Sequence, residues 1–247
     1  KPSEEKITEL NKYLYNFGYK IKGKKDDVKP KAFEQILEEI KGTEQERVIA
    51  NLLLRTLKVA RYEAENRGHF GIASKYYCHF TSPIRRYPDL FIHRIISIYL
   101  EEDYNVTDHF KEKFETRAIK YAERSSECEQ IATKAERESE AMKKAEFMQE
   151  RVGKQYEGII SSVTNFGMFV ELPNTVEGLI RFESLDDDYY SYDEGRKELV
   201  GKHSGKIYKL GDKVRIEVVA ADKETRKIDF KIASKKEGKK YGAKKEK

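Results

Sequence analysis

The chain has 247 residues, with apolar and charged residues each at 38% and a formal net charge of +5. That length suffices for one large domain or two modest ones with a real core, and 12 Phe and 16 Tyr exclude disorder throughout. No apolar run approaches the roughly 18–20 residues of a membrane helix and no signal-peptide pattern opens the sequence, so no membrane partner is expected.

Residues 1–150 read as successive helices. Ser3 is placed to cap a first helix with Glu4 and Glu5 in its first turn, Ile7, Leu10, Leu14 and Phe17 on one stripe, and Gly18 as its stop. A lysine-rich linker over 20–29 leads to Pro30 and a second stripe of Phe33, Ile36, Leu37 and Ile40, closed by Gly42. Thr43 and Glu46 fit a capping box ahead of Val48, Ile49, Leu52, Leu53, Leu57 and Ala60.

From Gly68 to Tyr87 the helical period fails in the text GHFGIASKYYCHFTSPIRRY. Tyr87 precedes a proline and prefers extended backbone, which predicts Pro88 as a first helical residue. Residues 90–100 are almost wholly apolar and predict a buried helix. Residues 107–150 contain no Gly or Pro and predict one long helix or two nearly collinear ones.

At Gly153 the pattern changes to alternating Val and Ile punctuated by Gly. Strands are predicted at 155–163, 167–172, 176–181, 213–221 and 227–232, which suits a small closed barrel of the OB type. The stretch 184–211 is expected to be an inserted loop. Asp186, Asp187 and Asp188 within it are expected to be solvated charge rather than a metal cluster.

Residues 234–247 hold seven Lys against two Glu, so the whole net charge sits in this tail and 1–233 balance at 42 basic and 42 acidic residues. A disordered tail that attracts phosphates and a merely solubilising tail are equally compatible with that composition. Cys78 and Cys128, fifty positions apart, encode neither a disulfide framework nor a zinc site, and a reducing, cytoplasmic location is expected. Lys1 is not an initiator Met, and Met occurs only at 142, 148 and 168, so a piece of a longer protein is expected.

The text GKQYEGIISSVTNFGMFVELPNTVEGLIRFESL, closing with GDKVRIEVVAADKETRKIDFKI, resembles the S1 motif, an RNA-binding OB-fold. Phe166 and Phe169 flank Gly167, where a tight turn can present both rings for base stacking, worth about 1–3 kcal/mol per base. The resemblance places Phe166, Phe169, Arg181, Asp222 and Arg226 at RNA-contacting positions. It departs from the usual pattern at Arg181, where many members have His. Residues 153–233 carry 13 basic and 15 acidic residues, so charge does not dominate the affinity expected of the barrel. For either aromatic alone, core packing is the competing reading.

The text HFGIASKYYCHFTSPIRRYPDLFIHR is similar to the closing part of the catalytic domain of the ribonuclease II/R family, and the resemblance extends over the whole chain. It implies an α+β fold: 1–150 as the C-terminal portion of that catalytic domain, 151–233 as an S1 barrel, and 234–247 as a disordered basic tail. It implies processive 3′-to-5′ hydrolysis of RNA to nucleoside 5′-monophosphates, with Mg²⁺ as cofactor. The implied partners are single-stranded RNA and structured RNA with a 3′ overhang, bound by a monomer.

Arg85, the first Arg of PIRR, matches the family's catalytic arginine. A guanidinium braced between Pro83 and Pro88 suits the charge that builds on non-bridging phosphate oxygens. Arg86 is read as an RNA contact or as the partner of an internal carboxylate. Asp89 and His93 are four apart on the next helix and hence neighbours on one face; an internal brace for the arginine pair is open for both and preferred for His93. His69, Tyr76, His79 and Tyr87 are read as lining or buttressing an RNA channel, with core packing open for each. Cys78, His79 and His93 lack metal-site spacing, and Ser82 lacks a nucleophile elbow.

Two-metal phosphodiester hydrolysis needs several converging carboxylates. Residues 1–82 supply no such cluster, since Asp26-Asp27 lie in the lysine-rich linker, so the chain alone is expected to be inactive. The alternative is a non-catalytic S1-domain RNA-binding protein, which leaves the doubly braced arginine pair unexplained.

Overall fold

The structure is a computed structural model that describes residues 1–23, 28–43 and 45–233. Asp26, Asp27 and the tail 234–247 therefore lie outside the described residues. The chain divides into two compact units, 1–137 and 138–247.

In the first unit, α1 (Glu4–Asn16) starts where Ser3 is extended and its hydroxyl accepts the Lys6 N–H. It ends in a Schellman turn: the Gly18 and Tyr19 N–H groups donate to Tyr15 and Leu14 carbonyls, with Gly18 at φ +81°. α2 (Pro30–Ile40) begins on its proline, and α3 (Glu46–Thr56) follows. Ile7, Leu10, Leu14, Phe33, Ile36, Ile40, Ile49 and Leu53 form their shared core.

The expected capping box is not made. The Thr43 hydroxyl donates back to the Ile40 carbonyl, and Glu46 instead accepts the Gly42 N–H at 2.7 Å. The carboxylate thus serves the end of α2 rather than the entry to α3, which stops at Thr56, short of Ala60.

α4 (Tyr87–Glu101) starts one residue before Pro88. Its apolar run predicted a buried helix, yet the single buried residue is Asp89, while Ile96 and Leu100 are exposed. Composition gives a helix its apolar surface, but only the packing of neighbouring elements removes that surface from water. α5 (Asp108–Gln149) is one continuous helix whose last part, 138–149, belongs to the second unit. Among the described residues no helix is long and apolar enough to cross a membrane.

The second unit contains a closed barrel of five strands: β1 (Gln155–Val163), β2 (Gly167–Glu171), β3 (Glu177–Arg181), β7 (Lys213–Asp222) and β8 (Lys227–Ile232). Their order around the barrel is β1-β2-β3-β8-β7, with β3 and β8 parallel and β7 closing onto β1. Ile160, Met168, Val170, Ile180, Ile216, Val218 and Phe230 fill the interior together with Ala145 and Met148 of α5. A Cβ on Gly178 would come within 2.5 Å of the Phe230 ring, so the strand takes glycine there.

The insertion is not a loop. β4 (Tyr190–Asp193), β5 (Glu198–Gly201) and β6 (Ile207–Lys209) form a separate antiparallel sheet. Strands of three or four residues rich in Tyr, Ser and charge carry too short an alternation to be read from sequence.

Candidate functional site

The first candidate surface is the bend between Phe80 and Asp89. The Arg85 and Arg86 N–H groups both donate to the Ser82 carbonyl, at 3.3 and 3.0 Å. The Ser82 N–H donates to Asp89 Oδ2 at 2.7 Å, and Arg86 Nη2 donates to the same oxygen at 2.9 Å. Asp89 is fully buried and the Arg86 side chain is 18% exposed. Burial opposes ionisation of Asp89, but the Ser82 N–H and the Arg86 guanidinium overcome it and hold the carboxyl below the ordinary range. Of the two readings of Arg86, this geometry is that of the internal carboxylate partner.

Arg85 differs. It is exposed, and no hydrogen bond or ion pair among the described residues engages its guanidinium. The next helical turn adds a second brace: His93 Nε2–H donates to the Phe80 carbonyl at 2.7 Å, and the two rings stack at 4.2 Å. One arginine is therefore consumed in building the bend, and the other is presented by it.

The aromatic and histidine residues upstream form a chain of edge contacts. His69 and Ser74 exchange backbone hydrogen bonds, and the His69 ring meets Tyr77 at 5.1 Å. Tyr77 in turn meets His79 at 5.7 Å. His79 Nδ1 lies 3.0 Å from the Tyr62 hydroxyl, and burial, with help from Arg86, lowers the imidazole pKa. A neutral ring leaves Nδ1 free to accept that proton contact. Burial of the Tyr62 phenol raises its pKa in the same way. His69 Nδ1 is buried without a partner among the described residues. Tyr76 is exposed, and Tyr87 packs edge-on against Tyr121 at 4.9 Å, its pKa raised by hydrogen bonding to that residue.

Tyr62 was not legible as part of this group. It lies seventeen positions from His79 along the chain, and no spacing rule spans such a segment. It is set in place by Ser126 of α5, whose hydroxyl accepts the Tyr62 N–H at 2.9 Å.

The second candidate surface lies on the barrel. Met168 and Val170 point into the core, so strand alternation turns Phe169 outward. Its ring meets Phe166 at 6.2 Å, perpendicular, and Phe166 is 54% exposed. Gly167 between them pairs with Arg181, and a Cβ there would come within 2.5 Å of the Ile180 carbonyl oxygen. Arg181 is on the same outer face and lies 3.7 Å from Asp229. These three side chains form one surface.

Asp222 and Arg226 are partly committed to structure. Asp222 accepts the Thr225 hydroxyl at 2.8 Å and the Glu224 N–H at 2.9 Å, which lowers its pKa and shapes the turn between β7 and β8. Arg226 sits in that turn at φ +59° and donates to Glu138 of α5 at 2.9 Å. Lys223 lies 3.6 Å from Glu146 in the same manner. Both pairs are exposed, so a competing phosphate can displace either carboxylate.

The aspartate run is not uniformly solvated. Asp188 accepts hydrogen bonds from the Tyr189, His203 and Ser204 N–H groups and from the Ser204 hydroxyl, whose bond contributes most to holding its carboxyl far below the ordinary range. Asp187 accepts from Lys206 and from Tyr190. Only Asp186 has the expected character. Asp188 ties the start of the inserted sheet to its 201–204 turn, a pairing that sequence adjacency hides.

Residues 1–102 match the RNB domain family, and residues 149–233 match the S1 RNA binding domain family. The ribonuclease R 1 of Lactococcus lactis is 44% identical over 229 residues, 93% of this chain and 28% of that sequence. The ribonuclease R of Thermotoga maritima is 41% identical over 93% of this chain and 32% of its own length. The apo form of Mycoplasma genitalium RNase R superposes with a TM-score of 0.86 at 29% identity, over 94% of this chain and 36% of that one.

The chain thus carries an RNB match and an S1 match and is similar to ribonucleases R over most of its own length. It spans about a third or less of the length of these ribonuclease R relatives. The same Mycoplasma ribonuclease R has been solved with ribose-methylated single-stranded RNA and with double-stranded RNA. The ribonuclease R relationship implies a divalent metal. Among the described residues no group of three or more His, Cys, Asp and Glu side chains could hold one, so the residues present do not fit that group.

Proposed function

We propose that this chain is part of a processive 3′-to-5′ exoribonuclease that hydrolyses RNA to nucleoside 5′-monophosphates. The observation that carries this reading is the asymmetry of the arginine pair: Arg86 is locked onto buried Asp89, while Arg85 stands exposed on the bend so formed, without a partner among the described residues. The backbone bonds of the bend fix the main chain from which Arg85 extends, and its guanidinium offers two parallel N–H donors to the non-bridging oxygens as negative charge develops there.

The barrel supplies a separate binding surface. Phe166 and Phe169 stack on bases irrespective of sequence, and Arg181 pairs with a phosphate while Arg226 exchanges Glu138 for one. The substrates are single-stranded RNA and structured RNA with a 3′ overhang. Tyr87, His69 and His79 shape the path of the strand next to the Arg85 bend. The metal of the whole enzyme is Mg²⁺, held by carboxylates other than those described.

In this reading 1–150 complete a catalytic domain, 151–233 form the S1 domain, and the basic tail 234–247 assists capture of RNA. The enzyme works as a monomer in the cytoplasm, consistent with two free cysteines, Cys78 and Cys128. The chain by itself is inactive.

The test uses the whole gene product and a 5′-labelled single-stranded RNA. Arg85→Ala should lower turnover by about 10²–10³, the usual effect of removing one transition-state donor, with little change in RNA affinity. Equal losses in turnover and affinity would make Arg85 a binding residue only. Mg²⁺-dependent shortening of RNA by residues 1–247 alone would overturn the proposed inactivity.

A further inference from the structure

Between α4 and the first half of α5 lies a cleft of about 400 Å³. One wall is aromatic, built from Tyr87, Phe91, Phe114 and Tyr121. The rings meet edge to face, Tyr87 on Tyr121 at 4.9 Å and Phe91 on Tyr121 at 5.1 Å, so the wall is rigid. Arg94, Lys113 and Arg117 also line the cleft, and no carboxylate does.

The charge of this cleft is uncompensated. On a helix the partners of a side chain lie three and four positions away. Arg94 has Leu90, Phe91, Ser97 and Ile98 there. Lys113 and Arg117 are four apart and repel one another, with Phe110, Phe114, Thr116, Lys120 and Tyr121 at their remaining helical neighbours besides His109. None of the three cations pairs with an acid among the described residues. Elsewhere on α5 the cations do find acids at this spacing: Lys111 with Asp108, Arg124 with Glu127 and Lys143 with Glu146. Three like charges converge on one aromatic cleft where their own helices offer nothing to neutralise them.

We propose that this cleft binds a nucleoside phosphate, with the phosphate held by Arg94, Lys113 and Arg117 and the base laid against Tyr87 and Phe91. Two guanidinium forks and an ammonium match the oxygens of a phosphate, and a base face is the planar apolar group that fits an aromatic wall. The cleft has the size of a small-ligand site. The inference does not depend on the exoribonuclease reading, because charge and ring recognise the ligand whatever chemistry occurs at Arg85. The ligand has two possible sources, a free mononucleotide or one nucleotide of a bound RNA strand.

Calorimetric titration of residues 1–247 with adenosine 5′-monophosphate, adenosine and a short RNA lacking terminal phosphates tests this at low salt. Adenosine 5′-monophosphate should bind at least about tenfold more tightly than adenosine, as a charge-assisted phosphate contact requires. Arg94→Gln combined with Arg117→Gln should weaken binding by about tenfold or more without moving the melting temperature, since both side chains are exposed. The loss of mononucleotide affinity caused by the double variant should be the same size in a Phe166→Ala background, which separates this site from the barrel. Lost mononucleotide affinity in the double variant identifies the free ligand, and lost oligonucleotide affinity alone identifies the strand. Affinity for both ligands equal to the parent's would overturn the proposal. Lys113→Gln provides the same reading should the double variant fail to fold.

Discussion

Asp89→Asn tests whether the bend that presents Arg85 is built by charge or by its two prolines. Removing one partner of a buried ion pair costs about 3–5 kcal/mol. Two features of this pair reduce that figure. Arg86 is 18% exposed and can turn toward water, and Asp89 Oδ1 is buried with no partner among the described residues, so the native carboxylate is itself incompletely satisfied. Asparagine also keeps an acceptor for the Ser82 N–H. The expected loss is about 2–3 kcal/mol of local stability. Hydrogen exchange of the Ser82 and Arg86 amides reads it directly, because both N–H groups are bonded within the bend. Ser82 should exchange about 30-fold to 150-fold faster in the variant at neutral pH. The folded carboxyl pKa is depressed, so its stabilisation is present above the ordinary aspartate value of about 3.9 and is lost as the pH falls through the folded value. The difference between parent and variant should therefore close in acid. Exchange at Ser82 within about threefold of the parent at pH 7 would refute the argument and assign the bend to Pro83 and Pro88.

Phe166→Ala should weaken binding of a single-stranded oligonucleotide by about tenfold or more, in line with about 1–3 kcal/mol per stacked base, as read by fluorescence anisotropy. Unchanged affinity would remove Phe166 from the binding surface. Gly178→Ala should destabilise the barrel by about 1–3 kcal/mol in denaturant titration, because its Cβ would meet the buried Phe230 ring. A loss under about 0.5 kcal/mol would show that Phe230 can move aside. Glu138→Gln should change stability by less than about 1 kcal/mol, since its pair with Arg226 is exposed, and should raise RNA affinity by up to about fivefold. No gain in affinity would mean that Arg226 does not reach the phosphates.

The barrel was legible almost strand by strand. Its segments alternate over five to ten residues, and Gly167 and Gly178 stand where close approach excludes a Cβ. α1 and α2 were legible as well, because Ser3, Gly18 and Pro30 act within one helical turn of themselves. The inserted sheet and the Asp188 tie were not, because their defining contacts join residues 15 or 16 apart across short polar strands. Residues 90–100 have the composition of a helix, but Ile96 and Leu100 are exposed because burial depends on neighbouring elements that composition does not place.

The sequence by itself determined the local elements, the aromatic pair beside Gly167 and the family likeness of the PIRR segment, since each depends on neighbours within a few positions. The tertiary structure decided which arginine is spent and which is presented, that Tyr62 reaches His79, that Glu138 holds Arg226, and that three cations from α4 and α5 share one cleft. Those pairings rest on where separate elements pack. A charge carries no mark in the sequence of a partner 88 residues away that will neutralise it.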